Sequence, residues 1–205
     1  MFVNEKTPPP QEEEEPQAPA MEEAPEDPPL VGICGEITEE TTQQLSQALI
    51  TYNGGRLINT NKEEFEDAED IQFFLSSGGG SVNEMFAIHD LMQLVKKNRD
   101  IATFGYGKVY SAAVLLLAGG TRGKRHISHN TRVMLHHCSA DIGGTHPSIR
   151  SNFKELKKLE ARMVQELSDN SNLEISEIYE LFSTNTDKYF SAKQALEMGL
   201  VDKII

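Results

Sequence analysis

Ser111 is the residue of this chain best placed to do chemistry. It stands at the mouth of an apolar run, Ala112-Ala113-Val114-Leu115-Leu116-Leu117-Ala118, closed by Gly119-Gly120. A run that is apolar on every side predicts a buried helix, and the glycine pair is a normal stop signal. The start of such a helix carries free amides and positive dipole character. The amide of Ala112 would therefore face any oxyanion developing beside the serine. A serine here has two readings: it caps the helix, as serine often does, or it is a nucleophile.

Two further features bear on the choice. His136 ends an apolar strand, 25 residues beyond Ser111. A neutral imidazole can take the proton of a hydroxyl as it attacks, provided a carboxylate orients the ring. Upstream, Ser77-Gly78-Gly79-Gly80-Ser81-Val82 is a glycine-rich strand-to-helix turn. Amides without side chains can approach a substrate closely and supply an oxyanion donor. Each feature also has a plainer reading, His136 as a satisfied core histidine and the glycines as a phosphate loop. The phosphate loop lacks its G-x-x-x-x-G-K-[ST] signature. A metal site is the other competitor, because His126, His129, His137 and Cys138 could supply a tetrahedral nitrogen and sulfur set. Against it, His136 and His137 must face opposite sides of one strand.

The elements that would position these residues follow from periodicity. Strands are expected at 30–35, 70–75, 100–104 and 131–136, with a last short one within 200–205. Helices are expected at 38–52, with Thr38 as N-cap, at 81–97, at the Ser111 run, at 148–169, at 175–182 and at 192–198. Residues 56–69 are polar and acidic and predict a surface loop. The repeated strand–helix–strand order implies an α/β fold with parallel strands and right-handed crossovers. Ligand sites in such folds lie at the carboxyl ends of the strands, where Ser77–Gly80, Ser111 and His136 all fall.

Composition sets the frame. Of the 205 residues, the first 30 hold eight of nine prolines, nine acidic residues and one lysine. Such a segment cannot bury enough apolar surface to offset its ordering entropy, so 1–30 is expected to be a disordered acidic tail or propeptide. It carries −8 of the net charge of −13. The remaining domain, 31–205, has no basic face for nucleic acid. No apolar stretch is long enough to span a membrane, and the N-terminus lacks the pattern of a secretory signal. Two cysteines are too few for a disulfide framework. The expected location is the cytoplasm.

Three segments in order resemble the ClpP caseinolytic serine peptidases. LSSGGGSVNEMFAIHDLMQLV is similar to the family's strand, glycine turn and helix. GKVYSAAVLLLAGGTRGKRHISHNTRVMLHH is similar to its nucleophile segment running to its histidine strand, and TDKYFSAKQALEMGLVDKII to its C-terminal segment. The resemblance covers roughly residues 31–205. It implies a ClpP/crotonase-like fold with Ser111 as nucleophile, His136 as base and Asp187 as the orienting carboxylate. The amides of Gly79 and Ala112 would bind the oxyanion, and Gly80, Gly143 and Gly144 the substrate. Gly143-Gly144 would belong to a strand before the long helix, onto which substrate adds as a further strand. The implied assembly is a pair of stacked seven-membered rings joined through the 148–169 handle helix, on whose faces a Clp-type AAA+ unfoldase docks and feeds in unfolded protein. No metal and no cofactor are implied for this chain, since ATP is used by the unfoldase.

The chain departs from the family pattern at named places. Gly78 replaces a proline, Val109-Tyr110 replace small residues, His137-Cys138 replace Gln-Pro, and Thr186 replaces an arginine that helps assembly. Two alternatives stand beside the peptidase reading. One is a catalytically weak or inactive ClpP-like structural subunit of a mixed ring. The other is a phage-type head-maturation peptidase of the same superfamily.

Overall fold

The computed structural model describes residues 29–60, 62–65, 68–183 and 186–205. The acidic tail, all but residues 29 and 30, lies outside the described residues. Five strands form the main path of the sheet, in the order β1 (Leu30–Ile37), β2 (Ile71–Gly80), β3 (Ile101–Tyr110), β4 (Arg125–Ile127) and β7 (Lys203–Ile204). Every pairing on this path is parallel. β5 (Arg132–Leu135) pairs parallel with β3, and β6 (Lys188–Ser191) pairs antiparallel with β5. The helices are α1 (Glu39–Tyr52), α2 (Val82–Val95), α3 (Ala112–Ala118), α4 (His146–Asp169), α5 (Ile175–Ser183) and α6 (Ala192–Glu197).

β3 organises the sheet because it has a different partner at each end. Its first half pairs with β4 and its last three residues pair with β5. The fork falls at Gly105, whose carbonyl accepts both the Ser128 amide at 2.9 Å and the Thr131 hydroxyl at 3.1 Å. Between the two halves β3 bulges against β2. Leu75 pairs with Gly105 but Ser77 pairs with Val109, and Gly107 sits at φ 65° within the bulge. That backbone is open to glycine and costly for other residues. The bulge re-aims the end of β3, where Ser111 follows.

Two strands run on past their expected ends, and a third is shorter than expected. β2 runs on through Ser77–Gly80, so the glycine segment is strand rather than turn, and Gly80 pairs with Ile37 of β1. β3 runs to Tyr110 rather than stopping at Phe104. The expected strand at 131–136 becomes β5, with His136 just beyond its end. Ladder bonds to neighbouring strands hold segments that their own composition would not. Two strands were missed altogether, β4 and β6. The expected strand at Gly143-Gly144 does not form, and both residues lie outside regular structure just before α4.

The caps explain the helix starts. Thr38 and the N3 residue Thr41 form a reciprocal capping box on α1, as Ser191 and Gln194 do on α6. Ser81 Oγ accepts from the Glu84 amide to start α2. α3 is the centre of the core. None of its residues is more than 1 % exposed, and it packs on β2, β3, β5, α2 and α4.

His89 of α2 is buried in this packing at 1 % exposure. Its Nε2 accepts from the Gln93 amide at 3.1 Å. Its Nδ1 is buried without a hydrogen-bond partner, 4.0 Å from Asp90. Burial pulls its pKa down to about 4, and nearby Lys96 and Arg162 add to the effect against the pull of Asp90. A histidine kept neutral in the fold but protonated in the unfolded chain below about pH 6.5 loses stability on acidification. Urea unfolding should therefore show the protein losing roughly 3 kcal/mol between pH 6.5 and 4 from this group, at about 1.4 kcal/mol per unit. His89→Gln should flatten that part of the pH dependence.

Candidate active site

Ser111 joins β3 to α3 in an unusual conformation. Its φ is 55° and its ψ −125°, the single positive φ on a non-glycine residue among the described residues. Its side chain makes no capping bond to the helix. The cap reading therefore fails: the hydroxyl is turned away from the amides it would have capped. It lies instead 2.7 Å from His136 Nε2. The backbone holds the turn from two sides, with the Ser111 amide donating to the Met134 carbonyl at 2.8 Å and the Val114 amide donating to the Ser111 carbonyl at 3.0 Å. A non-glycine residue in such a region costs of order 1–3 kcal/mol. The burial of Val114, Leu115, Leu116 and Leu117 stabilises by roughly 1.5–3 kcal/mol each, more than enough to hold it.

His136 and Asp187 are brought together by the β5–β6 ladder. Leu135 pairs with Lys188, so the next step outward sets His136 opposite Asp187. His136 Nδ1 lies 3.6 Å from Asp187 Oδ1. That is ion-pair range, longer than an ordinary hydrogen bond. The Tyr189 hydroxyl donates to the other oxygen, Oδ2, at 3.4 Å. The Asp187 side chain is 49 % exposed and that of His136 28 %, so solvent and substrate reach the site. Ser111, His136 and Asp187, from three separate stretches of chain, thus form one row. With the ring proton on Nδ1, the serine hydroxyl donates to Nε2, the geometry for removing its proton.

The glycine segment closes over the serine. A Cβ on Gly79 would stand 2.8 Å from Ser111 Cβ and 2.9 Å from the Tyr110 carbonyl, and Gly79 has φ 94°. The site therefore requires glycine here for both space and backbone. The Gly79 amide does not point openly at the serine, however. It donates to the buried Ser77 Oγ at 3.0 Å. The Ala112 amide is the first of α3 and has no acceptor within its own helix.

Beyond His136 lies a feature that motif reading did not find. A cavity of about 410 Å³ opens between residues 137–142 and α4, lined by Cys138, Ile142, Phe153, Leu156 and Glu160 among others. The Cys138 amide donates to Glu160 Oε2 at 3.0 Å. Burial, and secondarily the Glu160 carboxylate, push the Cys138 thiol up to about 11. It stays protonated at neutral pH and is a poor nucleophile beside Ser111. The competing set of His126, His129, His137 and Cys138 is not gathered. Among the described residues no three of His, Cys, Asp or Glu converge as metal ligands do.

Gly79→Ala should test the close approach. The added methyl should lower the rate at which a fluorophosphonate labels Ser111 by at least about tenfold, the equivalent of 1.4 kcal/mol, well within the strain expected at that φ. Gly78→Ala, whose added Cβ would have only the Lys108 ammonium at 4.0 Å, should leave labelling near the parent rate.

Comparison with known proteins gives the family. The family model described as Clp protease matches residues 30–205. A protein of Thermobifida fusca named ATP-dependent Clp protease proteolytic subunit 2 is 32 % identical over 179 residues, 82 % of this chain and 85 % of that protein. One of Leifsonia xyli subsp. xyli named ATP-dependent Clp protease proteolytic subunit 1 is 36 % identical over 176 residues, 85 % of this chain and 82 % of that one. A Bifidobacterium longum protein, also named proteolytic subunit 2, is 35 % identical over 137 residues, 67 % of this chain and 64 % of its own length. A family model matched from the first strand of this forked parallel sheet to its last, with relatives 32 % and 36 % identical over 82 % and 85 % of the chain, places this chain in the Clp protease family.

Proposed function

We propose that this chain is the proteolytic subunit of an ATP-dependent Clp-type protease, a serine endopeptidase that cleaves unfolded polypeptide. The 2.7 Å contact between Ser111 Oγ and His136 Nε2 carries the reading. Ser111 attacks the scissile carbonyl while His136 takes its proton and later returns it to the leaving amine. Asp187 holds the imidazole in the tautomer that accepts at Nε2 and stabilises the imidazolium. The oxyanion forms beside the Ala112 amide, at the start of the buried α3. Gly79 supplies the second donor once its amide leaves Ser77. Gly80 and the Gly143-Gly144 segment line the course of the substrate backbone. The cavity beginning at His137 takes an apolar substrate side chain next to the cleaved bond.

The two alternatives lose ground to these observations. A structural subunit has no use for a strained serine aimed at a histidine. A head-maturation peptidase has no support among the relatives, whose names are those of Clp proteolytic subunits. The chain needs no cofactor of its own, because the ATP is spent by the unfoldase. Its place is the cytoplasm. Among the described residues no helix is long and apolar enough to cross a membrane.

Family membership implies an oligomer that works with a Clp ATPase, and the finer form is two stacked homomeric heptamers joined through α4. The apolar side chains of that helix divide in two. Met163 and Leu167 are buried in the subunit's own core, and Leu156 and Leu159 pack partly against it. Phe153 and Ile149 are 50 % and 41 % exposed and offer apolar surface to a partner helix, Phe153 with one side on the cavity next to His137.

A fluorophosphonate probe should label the parent chain and leave Ser111→Ala unlabelled. Equal labelling of the two would overturn the nucleophile assignment. Loss of a triad nucleophile or base costs about 10⁶ in kcat, so both Ser111→Ala and His136→Ala should be silent against fluorogenic peptides. Particle mass measured at micromolar concentration should correspond to seven or fourteen subunits. Phe153→Glu should shift that mass downward, and a parent chain found only as monomer would remove the ring assembly.

A further inference from the structure

Tyr110 stands just before Ser111, where the resemblance leads one to expect a small residue. The sheet shows what this bulky residue meets. Tyr110 pairs with Met134 across β3 and β5, and Met134 pairs with Tyr189 across β5 and β6. The three form one rung through three strands. Side chains of a rung share a face, so the two tyrosines flank Met134 on the same side of the sheet. Two strand spacings would separate their backbones by about 10 Å, yet the rings lean together. Their centroids lie 5.7 Å apart at 85°, an edge-to-face pair.

This rung lies one step below the catalytic row. Ser111 follows Tyr110, His136 lies two residues beyond Met134, and Asp187 lies two before Tyr189. The antiparallel β5–β6 pairing therefore keeps His136 and Asp187 over Met134 and Tyr189. Asp187 needs such support. Its carboxylate is half-exposed, its contact with His136 spans 3.6 Å, and it stands outside β6 with no ladder bond of its own. Its second oxygen is met by the Tyr189 hydroxyl.

We propose that Tyr110 and Tyr189 form a positioning pair for Asp187, in which the Tyr189 hydroxyl holds Oδ2 while the Tyr110 ring holds Tyr189. Oδ1 is then left turned toward His136. Neither tyrosine touches the substrate's reacting atoms; both act through the carboxylate. The inference rests on the reading of Ser111, His136 and Asp187 as a triad.

The test uses the full chain in its assembled form, with a fluorogenic peptide for kcat and KM and fluorophosphonate for the labelling rate. Tyr189→Phe keeps the ring and removes the hydroxyl. It should lower kcat and the labelling rate about three- to tenfold, the range of one modest hydrogen bond, and leave KM within about twofold. Tyr110→Phe keeps the edge-to-face contact and should match the parent chain. Tyr110→Ala should fall as Tyr189→Phe does, and the double variant should be no slower than Tyr189→Phe alone, the mark of two residues acting through one group. The proposal is overturned if Tyr189→Phe matches the parent chain, if its loss lies in KM alone, or if the two losses multiply. Should Tyr110→Ala not fold, Tyr189→Phe and Tyr110→Phe decide the matter by themselves. Failure here is distinct from failure of the triad: if Ser111→Ala were labelled like the parent chain, the triad would fall; if only Tyr189→Phe behaved like the parent, the tyrosine pair alone would fall.

Discussion

The molecule is arranged around one strained link, the passage from β3 to α3 through Ser111. A non-glycine residue at φ 55° and ψ −125° persists only where its surroundings over-determine it. Here they do so from three directions. β3 enters as the forked central strand, α3 leaves as the most deeply buried helix, and β5 takes the Ser111 amide on the Met134 carbonyl. The geometry that turns the hydroxyl away from its own helix is the geometry that turns it toward His136. Strain and reactivity are thus one feature, held by the packing of Val114 to Leu117.

His136 and Asp187 depend on that link at one remove. β5 is placed by the last three residues of β3, and β6 by β5. A change at the β3 fork would therefore move the whole row, because each strand sets the register of the next. The support thins outward along this chain of pairings. Ser111 is locked by a helix and two strands, His136 lies just past a strand end, and Asp187 stands outside the edge strand with half its surface in water. The tyrosine rung beneath it stiffens the end that the ladder leaves loose.

The rest of the molecule separates stability from function. Ion pairing at the far end of the sheet, where buried Arg125 meets Asp202 at 2.7 Å and part-exposed Lys124 bridges Asp70 and Asp100, ties β4 to the chain terminus and β2 to β3. These groups lie at the strand starts, away from the serine. α4 works at two levels, its last turns sealing the core over α3 and its first turns carrying exposed apolar side chains outward. An amphipathic stripe longer than the core it covers is what a subunit needs to seal itself and still meet a partner.

Much of this was legible in the residues. The apolar run after Ser111 dictates a buried helix, the alternation of strand and helix patterns dictates parallel pairing, and the order of three motifs pointed to Ser111, His136 and Asp187. What the sequence could not show was anything set by neighbours across space. Ser111 looked like a cap because serine at a helix start usually is one; only β5, holding its amide, turns the hydroxyl away. Ser77–Gly80 looked like a turn because glycine disfavours strands; only pairing with β1 keeps it extended. Residues 188–191 gave no strand signal because four part-exposed residues carry no period; only β5 makes them a strand, and with it sets Asp187 against His136. The resemblance implied the Gly79 amide as an oxyanion donor, and only the fold shows that this amide is bonded to Ser77 Oγ. Composition and periodicity determined which elements exist and which residues could react. Long-range hydrogen bonding decided where the elements end, and those ends are where the chemistry sits.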